Sequence, residues 1–345
     1  MTAEEWNKKG IALGMFGRYQ EALEAFEEAI KLNPKYAEAW SNKSNALNLL
    51  GRYREALEAC DKAIKIDPQD AEAWCNKGVA LGNLRRDQEA LEAYDKAIKL
   101  NPLYAKAWGN KGFALGNLGR YQEALEACDK AIEIDPSFAK AAWFNKGVVL
   151  INRLGKYEEA IEAYDKALKL NPELAEVWLN KGVALHKLGR DQEALEAYNK
   201  AIAINPQYAE AWCNKGVGLG KLGRYREALE ACDEAIKINP QYAETWCNKG
   251  IALGNLERHK EALEAFDKAI AINPNFAEAW GNKGNALGYL GRYQEALEAC
   301  DKAIELNPQH ANAWINKGAA LHNLGRYKEA REAHEKAEKL RRTRG

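Results

Sequence analysis

Residues 37–70 read AEAWSNKSNALNLLGRYREALEACDKAIKIDPQD, and this stretch decides the fold. Its first half, Ala37 to Leu50, reaches Gly51, and its second, Arg54 to Ile66, reaches Asp67-Pro68. Glycine can take the left-handed conformation that closes a helix. Proline drives the residue before it out of the helical region. The stretch therefore predicts two helices, A and B, each roughly 13 residues long and too short to be stable alone in water. They must pack against each other and against something further along the chain.

That something is the same unit again. The nine prolines are Pro34, Pro68, Pro102, Pro136, Pro172, Pro206, Pro240, Pro274 and Pro308, spaced by 34 residues except for the 36 between Pro136 and Pro172. Trp6, Trp40, Trp74, Trp108, Trp143, Trp178, Trp212, Trp246, Trp280 and Trp314 keep the same beat. A fixed period of this size marks a solenoid of stacked units. A length of 345 residues would otherwise suggest two or three globular domains. The repeat overrides that prior, and a single solenoid of ten units over residues 3–341 is expected.

Angles on helix A separate two faces. With Trp40 at zero and about 100° per residue, Ser44 lies at about 40° and Leu47 at about −20°, so the three share a buried face. Ser44 holds a slot that is Gly in the other nine units, among them Gly78, Gly112 and Gly182. A missing side chain there lets a second helix come close. On helix B, Ala56, Leu57, Cys60, Ala63 and Ile64 form an apolar stripe wide enough to meet two helices. Thr2 and Glu5 have capping-box spacing for the first helix.

These residues resemble the tetratricopeptide repeat over nearly the whole chain. In the first unit Trp6, Gly10, Gly17, Ala22, Phe26, Ala29 and Pro34 follow its signature. Two departures are systematic: Lys9, Lys43 and Lys77 stand where the signature has Leu, and Leu13, Leu47 and Leu81 where it has Tyr. A lysine can bury its stem and keep its amine in water, so neither threatens the fold. The resemblance implies an all-α solenoid, a right-handed superhelix of stacked antiparallel helix pairs whose A helices line a concave groove. It implies a scaffold for protein interactions.

Opposite the tryptophan on the wheel stand Glu38, Asn42, Asn45 and Leu49, at about 140–200°. Two residues after each Trp come Asn42, Asn76, Asn110, Asn145, Asn180, Asn214, Asn248, Asn282 and Asn316, with Lys8 in the first unit. An amide offers two donors and an acceptor, which suits it to the backbone of an extended peptide or protein segment. The alternative is that these amides bond to neighbouring repeats and stabilise the stack. Beside them runs a mostly apolar row of Ile11, Val79, Phe113, Val148, Val183, Val217 and Ile251, interrupted by Asn45 and Asn285. A mostly acidic row includes Glu38 and Glu72. It suits basic side chains, although a glutamate in a first turn is favoured by the helix dipole alone.

Other readings are weaker. Lys plus Arg equals Asp plus Glu at 50 each, which argues against a nucleic-acid binder of the pentatricopeptide kind. No Lys follows a Trp directly and no Arg lies two residues after one, so the family's clamp for heat-shock chaperone carboxyl termini is not expected. No phosphate loop, catalytic constellation or cofactor site stands out, and an enzyme is not expected. Met1 to Gly10 lacks the apolar run of a signal peptide, and no stretch reads as membrane-spanning. The seven cysteines form no CxxC pair. Cys60, Cys128, Cys232 and Cys300 read as core, Cys75, Cys213 and Cys247 as partly exposed, and all as reduced thiols of a cytoplasmic protein. The five histidines lack metal-ligand spacing, and His186 reads as solvated. A structural element acting through its ends or convex face, monomeric or weakly self-associating, is the alternative function.

Two irregularities remain. Unit five carries one extra residue in 137–142 and another in 151–154, which predicts a local change of superhelical pitch across 137–155. The last unit has Arg331 and Glu338 where the preceding one has Leu297 and Ile304. A polar face is what a terminal repeat needs, so a polar last helix over 327–341 and a frayed 342–345 are expected.

Overall fold

A computed structural model describes residues 1–136 and 139–342, and only the backbone of 152–154. Twenty helices are found among the described residues, and no strand. The chain divides into two compact units, Met1–Glu173 and Leu174–Gly345. The first holds α1 (Ala3–Met15), α2 (Tyr19–Leu32), α3 (Ala37–Leu49), α4 (Tyr53–Ile66), α5 (Ala71–Asn83), α6 (Asp87–Leu100), α7 (Ala105–Asn117), α8 (Tyr121–Ile134), α9 (Lys140–Leu154) and α10 (Tyr157–Leu170). The second holds α11 (Ala175–Lys187), α12 (Asp191–Ile204), α13 (Ala209–Lys221), α14 (Tyr225–Ile238), α15 (Ala243–Asn255), α16 (His259–Ile272), α17 (Ala277–Tyr289), α18 (Tyr293–Leu306), α19 (Ala311–Asn323) and α20 (Tyr327–Arg342). Odd-numbered helices are A, even-numbered helices are B, and within each unit successive pairs stack as an α-solenoid.

The turns close for the reasons read in the sequence. Gly51 sits at φ +74°, and Arg52 N–H donates to the Leu47 carbonyl at 2.9 Å. That bond satisfies a helix-end carbonyl. Asp67 is extended before Pro68, and its side chain accepts from Gln69 N–H at 2.9 Å. Trp74 then reaches back, its indole N–H donating to the Pro68 carbonyl at 3.1 Å. The same indole bond ties Trp108, Trp246 and Trp280 to Pro102, Pro240 and Pro274. Proline and tryptophan thus keep one period because they bond to each other across the junction. At the amino end Thr2 and Glu5 form the expected capping box.

Packing follows the two faces. Leu47, Leu81, Leu115, Leu150, Leu185, Leu219, Leu253, Leu287 and Leu321 are all buried, at 1–2% exposure. Each stabilises by about 1.5–3 kcal/mol. On the same face each glycine meets a side chain of helix B at close range. A Cβ added at Gly78 would sit 2.4 Å from the Tyr94 ring, and one at Gly112 would sit 2.6 Å from Cys128 Sγ. Leu57 of α4 packs against the cluster of Cys75, Leu81 and Ala90 in the next repeat, so helix B does meet two A helices.

The lysines that depart from the signature fasten the stack. Lys43 Nζ lies 5.6 Å from the Trp40 ring centre and 2.8 Å from Glu27 of the preceding helix B. Lys249 repeats this with Trp246 at 5.5 Å and Asp233 at 2.6 Å. One cation serves its own helix and the preceding repeat.

The irregular repeat absorbs part of its insertion at the end of α9. Lys156 N–H bonds the Leu150 carbonyl, six residues back, at 3.0 Å, where the regular turn spans five. Residues 137 and 138, on which the expected pitch change also rests, lie outside the described residues. At the other end α20 runs from Tyr327 to Arg342. Arg342 is helical and its guanidinium pairs with Glu338, because an i,i+4 ion pair supports the last turn. Residues 343–345 lie outside the described residues. The face of α20 that carries Arg331 is exposed, with Arg331 paired to Glu335 at 3.0 Å.

Candidate functional site

Successive A helices leave clefts between them. In the first unit a cleft of about 470 Å³ is lined by Ile11 and Met15 of α1, Glu38, Asn42, Asn45 and Leu49 of α3, and Glu72 of α5. In the second unit Val217, Asn248, Ile251 and Glu278 line a cleft of about 330 Å³. The next, of about 570 Å³, holds Ile251, Asn282, Asn285 and Tyr289. A third, of about 210 Å³, holds Asn285, Tyr289, Tyr293 and Asn316. The wheel therefore brings Asn, acidic and apolar rows together at Asn42, Glu38 and Ile11, and again at Asn248, Glu278 and Val217. Val79, Val148 and Val183 are half-buried, and Phe113 is 46% exposed.

The asparagines are less free than their angle suggested. Asn42 donates to Asn7 Oδ1 at 3.0 Å, Asn145 to the Gly109 carbonyl at 3.3 Å and Asn316 to the Gly281 carbonyl at 3.1 Å. Asn110, Asn248 and Asn282 turn to the thiols of Cys75, Cys213 and Cys247, at 4.0, 3.4 and 3.8 Å. In every case the partner is the residue directly after the tryptophan of the preceding repeat. Asn76 goes further: it is wholly buried, donates to the Ser41 carbonyl at 3.3 Å, and is out of reach of any ligand. Its position opposite the tryptophan does not leave it exposed, because a wheel of one helix omits the A helix beside it. Two members differ. Asn180 donates to the Glu176 carbonyl of its own helix at 2.9 Å. Asn214 is half-buried and has no hydrogen bond among the described residues.

The cysteines after tryptophan are also corrected. Cys75, Cys213 and Cys247 are buried, at 0%, 3% and 1% exposure, because their position faces the next A helix. Burial pushes the Cys75 thiol up to about 11 and Cys247 up to about 12, so both stay protonated. His186 is not simply solvated: its Nδ1 pairs with Asp191. His259 stacks on Tyr289, ring centres 4.5 Å apart, beside the largest of these clefts. No pattern in the sequence places that pair together.

In the acidic row, desolvation by the surrounding helices raises the Glu72 carboxyl above its ordinary range, against the pull of Lys106. Glu176 is raised by desolvation and then by Glu210 of the next repeat. Among the described residues no group of three or more His, Cys, Asp or Glu is placed to hold a metal ion. No described helix is long and apolar enough to cross a membrane.

Stacked antiparallel helix pairs with indole-to-proline ties define a helix-turn-helix repeat solenoid. Models described as tetratricopeptide repeat match residues 7–71, 137–173 and 152–209, 71–104, 105–138, 209–242, 243–276 and 277–310, and 299–332. The chain belongs to the tetratricopeptide-repeat family. Similar solved structures include YrrB, a protein described as having an unusual peptide-binding site, at 28% identity over 55% of this chain and 96% of YrrB, TM-score 0.44. MamA is similar at 28% identity, over 50% of this chain and 93% of MamA, TM-score 0.44. Yeast Tom70 is similar at 16% identity, over 98% of this chain and 92% of Tom70, TM-score 0.48. No curated protein matches the chain.

Proposed function

We propose that the chain is a protein-interaction scaffold and that an extended peptide segment lies along the clefts between its A helices. The observation that carries this reading is recurrence. An asparagine on one wall faces the apolar row on the other at Val217 and Asn248, and again at Ile251 and Asn282. An extended segment presents a backbone donor and acceptor at each residue, and an amide side chain can meet both. Such a grip tolerates many sequences. Selectivity then rests on the apolar row and on Glu38, Glu72 and Glu278, which give basic side chains a counter-charge.

The test replaces Asn180, Asn214 and Asn248 together by Ala and measures peptide capture on an array of random extended peptides. Loss of capture by a variant with an unchanged helical spectrum is expected. Unchanged capture would sink the cleft reading. Light scattering of the free chain is expected to give a monomer or a weak self-association.

A further inference from the structure

The residue directly after each tryptophan sorts the asparagine row into locked and open members. This position is buried at the contact between one A helix and the next: Ser41, Cys75, Leu179, Cys213 and Cys247 are all at 0–3% exposure. Its occupants differ in size and chemistry. Where it is Asn7, Ser41, Cys75, Gly109, Cys213, Cys247 or Gly281, the asparagine of the next repeat donates to that residue's side chain or carbonyl. Where it is Leu179, the asparagine of the next repeat, Asn214, makes no such bond.

The cause is chemical. A leucine side chain offers no polar atom for the amide to meet. A glycine or serine offers its carbonyl, and a cysteine its sulfur. Asn180, the other exception, gives a donor to the Glu176 carbonyl of its own helix rather than to the preceding repeat.

We propose that the residue after tryptophan is a specificity-determining gate, and that Asn180 and Asn214 are the amides that grip the peptide backbone. Asn248 and Asn282 line their clefts but give a donor to the preceding repeat, and Asn76 serves the stack alone. This rests on the cleft reading above and narrows it to α11 and α13. Beside the two open amides stand Val183 and Val217, half-buried, and Glu176 and Glu210, exposed. The segment that fits is extended, with an apolar side chain toward the valines and a basic one toward the glutamates.

The experiment uses the full chain and a fluorescein-labelled peptide of alternating lysine and valine, read by anisotropy. Asn180→Ala with Asn214→Ala is expected to lower affinity about tenfold or more, the worth of two net hydrogen bonds. Asn76→Ala, at the wholly buried member of the row, is expected to change affinity less than about twofold while lowering the unfolding midpoint. Leu179→Cys is expected to weaken binding about as far as Asn214→Ala alone, and Cys213→Leu to strengthen it by freeing Asn248. Side-chain amide resonances of the free protein report the gate without any peptide: the Asn214 pair should move in Leu179→Cys. An unmoved Asn214 resonance, or an affinity loss from Asn76→Ala equal to that of the double variant, overturns the gate. A wild type that binds none of the peptide while Asn214 does move overturns the ligand and leaves the gate standing.

Discussion

Adding one methyl group should destabilise this protein at Gly182 and stabilise it at Gly220, although both lie in A helices of successive repeats. A Cβ at Gly182 would stand 2.4 Å from Tyr198 Cε1 and 2.7 Å from Cδ1. Tyr198 is 1% exposed, so its ring has nowhere to go. Overpacking costs about 1–3 kcal/mol, and a trapped ring belongs in the upper half of that range. Replacing glycine by alanine within a helix returns about 0.5–1 kcal/mol. The net for Gly182→Ala is a loss of about 1–2 kcal/mol. A Cβ at Gly220 meets nothing within 4 Å, so only the propensity gain remains, about 0.5 kcal/mol near the helix end. Urea midpoints followed by circular dichroism measure both. Stacked repeats can unfold in parts, so amide hydrogen exchange in α11 and α12 supplies the local value. The reasoning fails if Gly182→Ala is as stable as the wild type, or if the two variants shift in the same direction.

Three further outcomes follow from the same geometry. Arg85 and Glu257 occupy the turn position that is glycine elsewhere, both at φ +61°; Arg85→Gly and Glu257→Gly should each raise stability by about 0.5–1 kcal/mol, seen as a higher urea midpoint. Lys249→Met removes both the Trp246 and Asp233 contacts and should cost about 1 kcal/mol or less, with the loss shrinking in high salt. Burial raises Cys60, Cys128, Cys232, Cys247 and Cys300 to about 12, whereas an unfolded thiol loses its proton near about 8.5. Their contribution is whole below that pH and is lost as pH rises toward 12, by about 1.4 kcal/mol per pH unit for each thiol. A urea midpoint that falls steeply above pH 9, and less steeply in Cys300→Ala, is the expected result.

The fold was legible because its marks are steric necessities. Gly51 must reach a positive φ, Pro68 must stop a helix, and Trp74 must reach the carbonyl of Pro68; each fixes a position regardless of neighbours. The turn at Lys156 was legible for the same reason, as one residue too many before Gly155. The candidate site was less so, because its chemistry depends on a second helix. A wheel drawn on α5 points Asn76 away from its own core, yet the neighbouring α3 buries it. The information that separates Asn76 from Asn214 was nonetheless written in the chain, one residue after the preceding tryptophan, as Ser41 in one case and Leu179 in the other. It could not be weighed until the structure put that position at the contact between A helices. There, a cysteine that reads as a half-exposed thiol becomes a hydrogen-bond acceptor, and a leucine that reads as filler becomes the reason an amide stays outside.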